Sequence, residues 1–279
     1  MKSLRAMLAP YIRRVIRRKK IANYETYRKV LEGKVGLEIG GPSDFFSTGY
    51  PLPIYPIVVS LDGCNFSSTT VWEGTIQSKI YRCEGSHGRG RQFIADATNL
   101  SFSEDERYDF FLSCHSLEHI ANPIKALKEW LRILKSGGVV VLVVPHRDGH
   151  FDTGRPVTIL EHMLMDYSKD VQEGDVQHLQ EIVAFHDFKL DKRFASCGNL
   201  INLLEKNSEH RMMHHHVFDP PTVIRLLDHV HLQIVSVDLV KPYNIVCMAQ
   251  KMMDGAYPDN TRYFYPNVND CKDVQFIFG

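Results

Sequence analysis

Short apolar runs and longer amphipathic stretches alternate along the chain. The clearest unit spans Tyr108 to Pro145, YDFFLSCHSLEHIANPIKALKEWLRILKSGGVVVLVVP. YDFFLS is short and apolar, and the polar loop after it ends at Asn122-Pro123, which predicts a helix start. Asn caps free amides there, and Pro fits the first turn because its missing N–H needs no partner. Ile124, Leu127, Leu131 and Leu134 recur at spacings of three and four and give one apolar helix face. Lys135 suits the negative end of the helix, and Gly137 is placed to stop it. VVVLVVP (139–145) holds no polar residue, so both faces of that strand are expected to be buried. A strand–helix–strand unit ending in such a run belongs inside a parallel sheet.

The same alternation extends to both sides. A helix is predicted within 21–34, with Tyr24, Tyr27, Val30 and Leu31 on one side. Strands are predicted at VGLEI (35–39), IVVSLDG (57–63) and FIADATNLSF (93–102), the last carrying Asp96-Ala97. After Pro145 a segment of about 70 residues, 146–216, reads as two or three helices joined by loops. Asp219-Pro220 then opens another helix, and LQIVSVDLV (232–240) and YNIVCMAQ (243–250) read as closing strands. Ligands of such sheets bind beyond the carboxyl ends of the strands, which directs attention to Ser113–His119 and His146–Asp152.

Charge changes this picture at one end. Lys plus Arg and Asp plus Glu each number 33, yet the first twenty residues carry eight basic residues and no acid. The remaining 259 residues therefore carry a net charge of −8, which argues against a broad nucleic-acid surface. Residues 1–20 place Leu4, Met7, Leu8, Tyr11, Ile12, Val15 and Ile16 at helical spacing among arginines. Two readings stay open: an interfacial helix on anionic lipid, or a leading helix packed on the domain. Six cysteines without a CxxC pair suit reduced thiols in a cytoplasm. No apolar run approaches the ~20 residues that span a bilayer.

The wording of the strand ends resembles the class I methyltransferases that use S-adenosylmethionine. CHSLEHI, KSGG and VVVLVVP match the family's loop after its fourth strand, its next turn and its next strand. The resemblance covers roughly residues 21–250. It implies an α/β, doubly wound, mostly parallel seven-stranded sheet with a helical insertion after strand 5 and an antiparallel last strand. It also implies a leading helix across the cofactor pocket. Glu38, Gly40 and Gly41 stand at the glycine turn after the first strand, where glycine lets the backbone approach a ligand. Pro42 and Asp44 depart from the family's usual glycines. Asp62 stands where the family's acid takes the ribose hydroxyls, and Asp96 with Ala97 where it contacts the adenine. Ser113, Cys114 and His115 complete the implied cofactor set. The longer wording GLEIGGPS, VVPHRDGHFDTGRPVT and HHHVFD further resembles a bacterial branch found beside polysaccharide-building glycosyltransferases.

A sugar hydroxyl is a poor nucleophile until a base takes its proton. His146 and His150, just past the fifth strand, are the expected catalytic residues, with Asp148 or Asp152 to orient an imidazole. His119 reads as a structural residue. The insertion 146–216 is expected to be the substrate cap. It holds nine of the fourteen histidines, and Glu161, His162, His178, His186 and His214–His216 are enough to bind a metal. No HExxH appears, and three successive histidines cannot all face one ion from a strand, so no metal is expected. The partners expected are a small-molecule or glycan acceptor, no nucleic acid, and peripheral membrane contact if 1–20 lies on lipid. Oligomeric state is left open. Alternatives are a non-enzymatic scaffold that keeps the fold in a glycan-assembly complex, or an enzyme acting on a lipid or quinone.

Overall fold

The computed structural model describes residues 20–71, 74–83, 90–191 and 197–264. The basic stretch up to residue 19 and the end of the 251–279 tail lie outside these residues. Strands β1 (Val35–Ile39), β2 (Ser60–Asn65), β3 (Thr69–Thr70), β4 (Gly74–Thr75), β5 (Ile80–Tyr81) and β6 (Gly90–Ile94) come first in the chain. They are followed by β7 (Tyr108–Cys114), β8 (Leu134–Pro145), β9 (Leu232–Val240) and β10 (Asn244–Lys251). Eight of them form one sheet in the order β5-β6-β2-β1-β7-β8-β10-β9, and β3 pairs only with β4. The run from β6 to β8 is parallel, and β10 lies antiparallel between β8 and β9. The expected doubly wound, mostly parallel sheet is thus present, with the two-residue β5 added at its edge. Its chain order reverses between β1 and β7, and that switch point is where such sheets open a crevice.

Alternation along β7 and β8 explains their apolar runs. Phe111, Val140, Leu142 and Val144 pack on one face with Trp130 and Leu127 of helix α2 (Pro123–Ile133). Phe110, Leu112, Val139, Val141 and Val143 pack on the other with Tyr27 and Leu31 of α1 (Tyr24–Leu31). Asn122 caps α2 as expected, its side chain accepting from Lys125 N at 3.0 Å. The end of α2 differs from the expectation. The helix stops at Ile133, Leu134 pairs with Tyr108, and the ladder resumes only at Phe110 and Val139. Residues 135–138 form a bulge in which Gly137 takes φ +75°, and Lys135 reaches Asp109 at 2.8 Å.

Among the described residues the insertion holds four helices, α3 (Leu160–Ser168), α4 (Leu179–Phe185), α5 (Cys197–Leu204) and α6 (Asn207–His210). It returns to the sheet through α7 (Pro220–His229), and a last turn, α8, spans Thr261–Phe264. Helix α1 does not lie across the cavity described next. Tyr27 bonds Asp238 and Ser236 of β9, so the helix is held against the far side of the sheet. No helix of the described residues is long and apolar enough to cross a membrane.

Candidate active site

A cavity of ≈ 880 Å³ opens at the carboxyl ends of β1, β2, β6, β7 and β8. Its floor is the turn after β1. Gly40 there has φ +77°, and a Cβ would fall 2.2 Å from Ser116 Oγ of the neighbouring strand end. Only glycine fits both demands. Pro42 lines the cavity beside it. Asp44 accepts from Tyr50 Oη at 3.2 Å and is not part of the lining, so neither departure closes the turn.

Glu38 holds this turn from below. Its carboxylate is fully buried and accepts from Tyr55 Oη at 2.8 and 2.9 Å, Tyr81 Oη at 2.7 Å and Ser43 N at 3.1 Å. A Cβ on Gly41 would meet that carboxylate at 2.3 Å. Burial and the adjacent carboxylate push both tyrosine hydroxyls well up, so they remain donors. Glu38 and Gly41 therefore support the cavity wall without lining it.

Asp62 stands apart from the cavity lining. β2 runs on to Asn65, so Asp62 sits inside the strand, where it accepts from Tyr108 Oη at 2.9 Å and Arg91 N at 2.7 Å. The Arg91 and Arg107 guanidinium groups lie within 3.8 Å of it. The strand-end positions that line the cavity are Asn65 and Phe66. Asp96 also stays out of the lining, between Ala95 and Ala97, which form part of it. Its carboxylate accepts from Thr98 N at 2.8 Å and Thr98 Oγ1 at 2.6 Å, and pairs with Arg211. Burial raises its carboxyl, but Thr98 and Arg211 outweigh that and hold it below the usual range. Arg211, from the insertion, lies 4.9 Å above the Phe66 ring and lines the cavity.

Cys114 and His115 line the cavity at the end of β7, while Ser113 is fully buried behind it. His115 Nε2 lies 2.8 Å from Asn244 Oδ1, and burial lowers its pKa, which keeps the ring neutral. His146 stands apart from the lining as well. It caps a short turn, its Nδ1 accepting from Asp148 N at 3.1 Å, and it does not line the cavity. His150 does line it, with Nδ1 3.3 Å from Asp152 Oδ2. The same oxygen lies 2.6 Å from His214 Nδ1, and Arg155 donates to the other at 2.9 Å. Burial raises the Asp152 carboxyl, but His214, His150 and Arg155 overcome it and keep the group well below the usual range. It is therefore an anion able to orient His150.

Glu118 was not singled out in the sequence, because it lies inside the LEH wording and was read only as part of that pattern. It is buried in the cavity wall, 3.7 Å from His115 Nδ1, and neither carboxylate oxygen has a hydrogen-bond donor among the described residues. Burial pushes its carboxyl up to about 8, with Asp152 adding to the shift. Tyr243 and Arg211 join the lining without a distinctive sequence signal, and so does His214 of the HHHVFD run.

Residues 65–142 match the family model described as a methyltransferase domain. The match covers 78 of the 279 residues. No curated protein matches the chain. Among solved structures, a methyltransferase dependent on S-adenosylmethionine from Methanosarcina mazei is 18% identical. It covers 83% of this chain and 99% of its own, with a TM-score of 0.45. One from Aquifex aeolicus is 11% identical over 90% of this chain and 100% of that one, with a TM-score of 0.46. One from Mesorhizobium loti is 13% identical over 82% and 97%, also at 0.46. The cavity suits the cosubstrate. The backbone is open at Gly40, Phe66, Ala95 and Ala97 offer an apolar slot for a planar base, and the orphan Glu118 carboxyl faces the same space.

Proposed function

We propose that this methyltransferase O-methylates a sugar or glycan intermediate in a bacterial cytoplasm, with the insertion 146–216 as the acceptor-binding cap. The carrying observation is His150, held by the buried anion Asp152 at the rim where an acceptor would enter. Gly40, Phe66, Ala95, Ala97, Cys114 and His115 are the residues that would hold S-adenosylmethionine, which supplies a methyl group already electrophilic on sulfur. The protein's task is then to align an oxygen with it and to remove a proton. Asp152 faces Nδ1 of His150, so Nε2 is the nitrogen that takes the hydroxyl proton, and Asp152 stabilises the resulting imidazolium. His115 and Glu118 offer further polar contacts for an acceptor, whereas an acyl tail would leave these buried groups unpaired. The polysaccharide-associated wording of residues 145–158 and 214–219 supports the same acceptor class.

Labelled methyl transfer to sugar nucleotides and to lipid-linked oligosaccharides, read by mass, tests this reading. A product with the label on a sugar oxygen is the expected result. Transfer only to a quinone or an acyl lipid would overturn it.

A further inference from the structure

Behind the cavity wall lies a second group of polar side chains that the proposed reaction does not use. His162 and Asp166 stand four residues apart on α3, which puts them on one helix face. His162 Nε2 is 3.3 Å from Asp166 Oδ2 and 3.1 Å from Nε2 of His178, the residue before α4. His216, returning toward the sheet, places its Nε2 3.9 Å from the same Asp166 oxygen. One ligand atom from each of His162, Asp166 and His216 can be chosen so that all three lie within 4.8 Å of one another. We propose that His162, Asp166 and His216 bind one zinc ion in a closed structural site, with His178, whose Nε2 lies 3.1 Å from that of His162, turning in as the fourth ligand.

Three observations carry this. Zinc–nitrogen bonds of ~2.0–2.1 Å put tetrahedral ligand atoms about 3.3 Å apart, and the shortest pairs here already stand at 3.1 and 3.3 Å. Asp166 Oδ2 is buried without a hydrogen-bond partner among the described residues, so this carboxylate is short of a positive centre, while His216 leaves Nδ1 unpartnered and has Ala121 O 3.4 Å from Nε2. Supporting contacts are in place: Gln177 Nε2 lies 3.4 Å from Asp166 Oδ1, and Glu181 lies 3.9 Å from His178 Nδ1.

Two neighbouring groups, Glu118 with His119 and His214, and His150 with Asp152 and His214, are weaker candidates. Both include His214, whose Nδ1 is already held by Asp152, and Arg155 donates to Asp152 at 2.9 Å. A guanidinium there neutralises the carboxylate and repels a cation. No lysine or arginine among the described residues pairs with Asp166. None of the four proposed ligands lines the cavity, so the site has no position open to substrate, which suits structure rather than chemistry. Its place also gives it a task. His215 and His216 donate backbone N–H groups to Glu118 O at 2.8 and 3.4 Å, so an ion here would tie α3 and α4 to the turn that carries Glu118.

The test uses the full chain without a histidine tag. Elemental analysis of the purified protein, and calorimetric titration of Zn²⁺ into chelator-treated protein, should each give one equivalent per chain. Chelation should lower Tm, and Zn²⁺ should restore it. His162→Ala and His178→Ala should each weaken Zn²⁺ binding at least tenfold, whereas His150→Ala should keep it. Co²⁺ substitution of the native chain gives a second reading that does not depend on a ligand variant folding, and an intense tetrahedral absorption band is expected. Less than a tenth of an equivalent after reconstitution, a weak octahedral Co²⁺ band, or unchanged affinity in the double His162→Ala/His178→Ala variant would each overturn the proposal.

Discussion

On the β1–β2–β6 side of the cavity, the acids at or near the strand ends already have donors. Glu38 has two tyrosine hydroxyls and an amide, Asp62 has Tyr108 and the Arg91 amide, and Asp96 has Thr98 and Arg211. Across the cavity, on the side of β7 and the insertion, Glu118, Asp166, Glu173 and His216 each keep a buried atom without a partner among the described residues. Both sides bury carboxylates, and burying one unpaired is costly. The difference separates a framework complete within the protein from one that awaits ligands. It predicts that removing an acid from the first side damages the fold, while removing one from the second changes what the protein can bind or do.

The largest effect should therefore come from Glu38→Ala. It leaves the hydroxyls of Tyr55 and Tyr81 and the amide of Ser43 buried around the glycine turn without their acceptor. Unpaired buried donors cost about 1–3 kcal/mol each, so a loss on the order of 3–5 kcal/mol is expected in urea unfolding. Cofactor affinity should fall with it. An equally stable variant would show that the carboxylate is no part of the framework.

Glu118→Gln should move stability the other way, by a pH-dependent amount. The folded-state pKa of about 8 lies above the ordinary value of 4.5, so the folded protein holds a proton that the unfolded chain has released. Wild-type stability attributable to this group is present below pH 4.5 and is lost as pH rises to 8. At about 1.4 kcal/mol per unit this amounts to a few kcal/mol. The variant has no such loss, so its Tm advantage should widen from pH 5 to pH 8. A constant difference across that range would mean that Glu118 has a compensating partner.

His150→Ala tests the same side for chemistry. A positioned base is worth ~10²–10⁴ in rate, so turnover should drop about a hundredfold while S-adenosylmethionine affinity, read by calorimetry, holds. Equal losses in both would make His150 a cofactor-pocket residue. Arg211 joins the two sides, since it comes from the insertion, pairs with Asp96 and covers Phe66. Arg211→Ala should weaken cofactor binding about tenfold, or ~1.4 kcal/mol, with turnover at saturating cofactor nearly kept. A fall in turnover alone would assign Arg211 to the acceptor.

Much of this was legible in the sequence because burial leaves a period. VVVLVVP had to be a central strand, since alternate residues of β8 feed both faces of the sheet. Asn122-Pro123 had to open a helix. Strand ends were harder to read. The apolar run IVV (57–59) lies before β2, and Val59 is 55% exposed, while Asp62 and Asn65 of SLDGCN are buried. Hydrophobicity therefore placed the strand end three residues early and made Asp62 look like a ligand residue. The zinc candidates are spread over 55 positions and meet only when α3, α4 and the segment returning to the sheet pack. The i,i+4 spacing of His162 and Asp166 was the one local clue.

The smallest effect is expected at His146, and it separates two histidines that sequence treats alike. Both follow β8, both stand two residues from an aspartate, and either would suit a general base. The short helical turn at Arg147–Gly149 sends them apart. His146 spends its Nδ1 on Asp148 N, as a cap, and its backbone N–H donates to Tyr243 O at 2.6 Å. His150 reaches the cavity with Asp152 behind it. A lost cap of this kind costs about 0.5–1 kcal/mol, and the carbonyl contact survives any substitution because it uses backbone. His146→Ala should then lower Tm slightly and leave turnover within about twofold, the size expected of a group that touches neither reactant. A tenfold or larger loss, with the fold intact by circular dichroism, would return His146 to the chemistry. It would also mean that this loop rearranges when the acceptor binds.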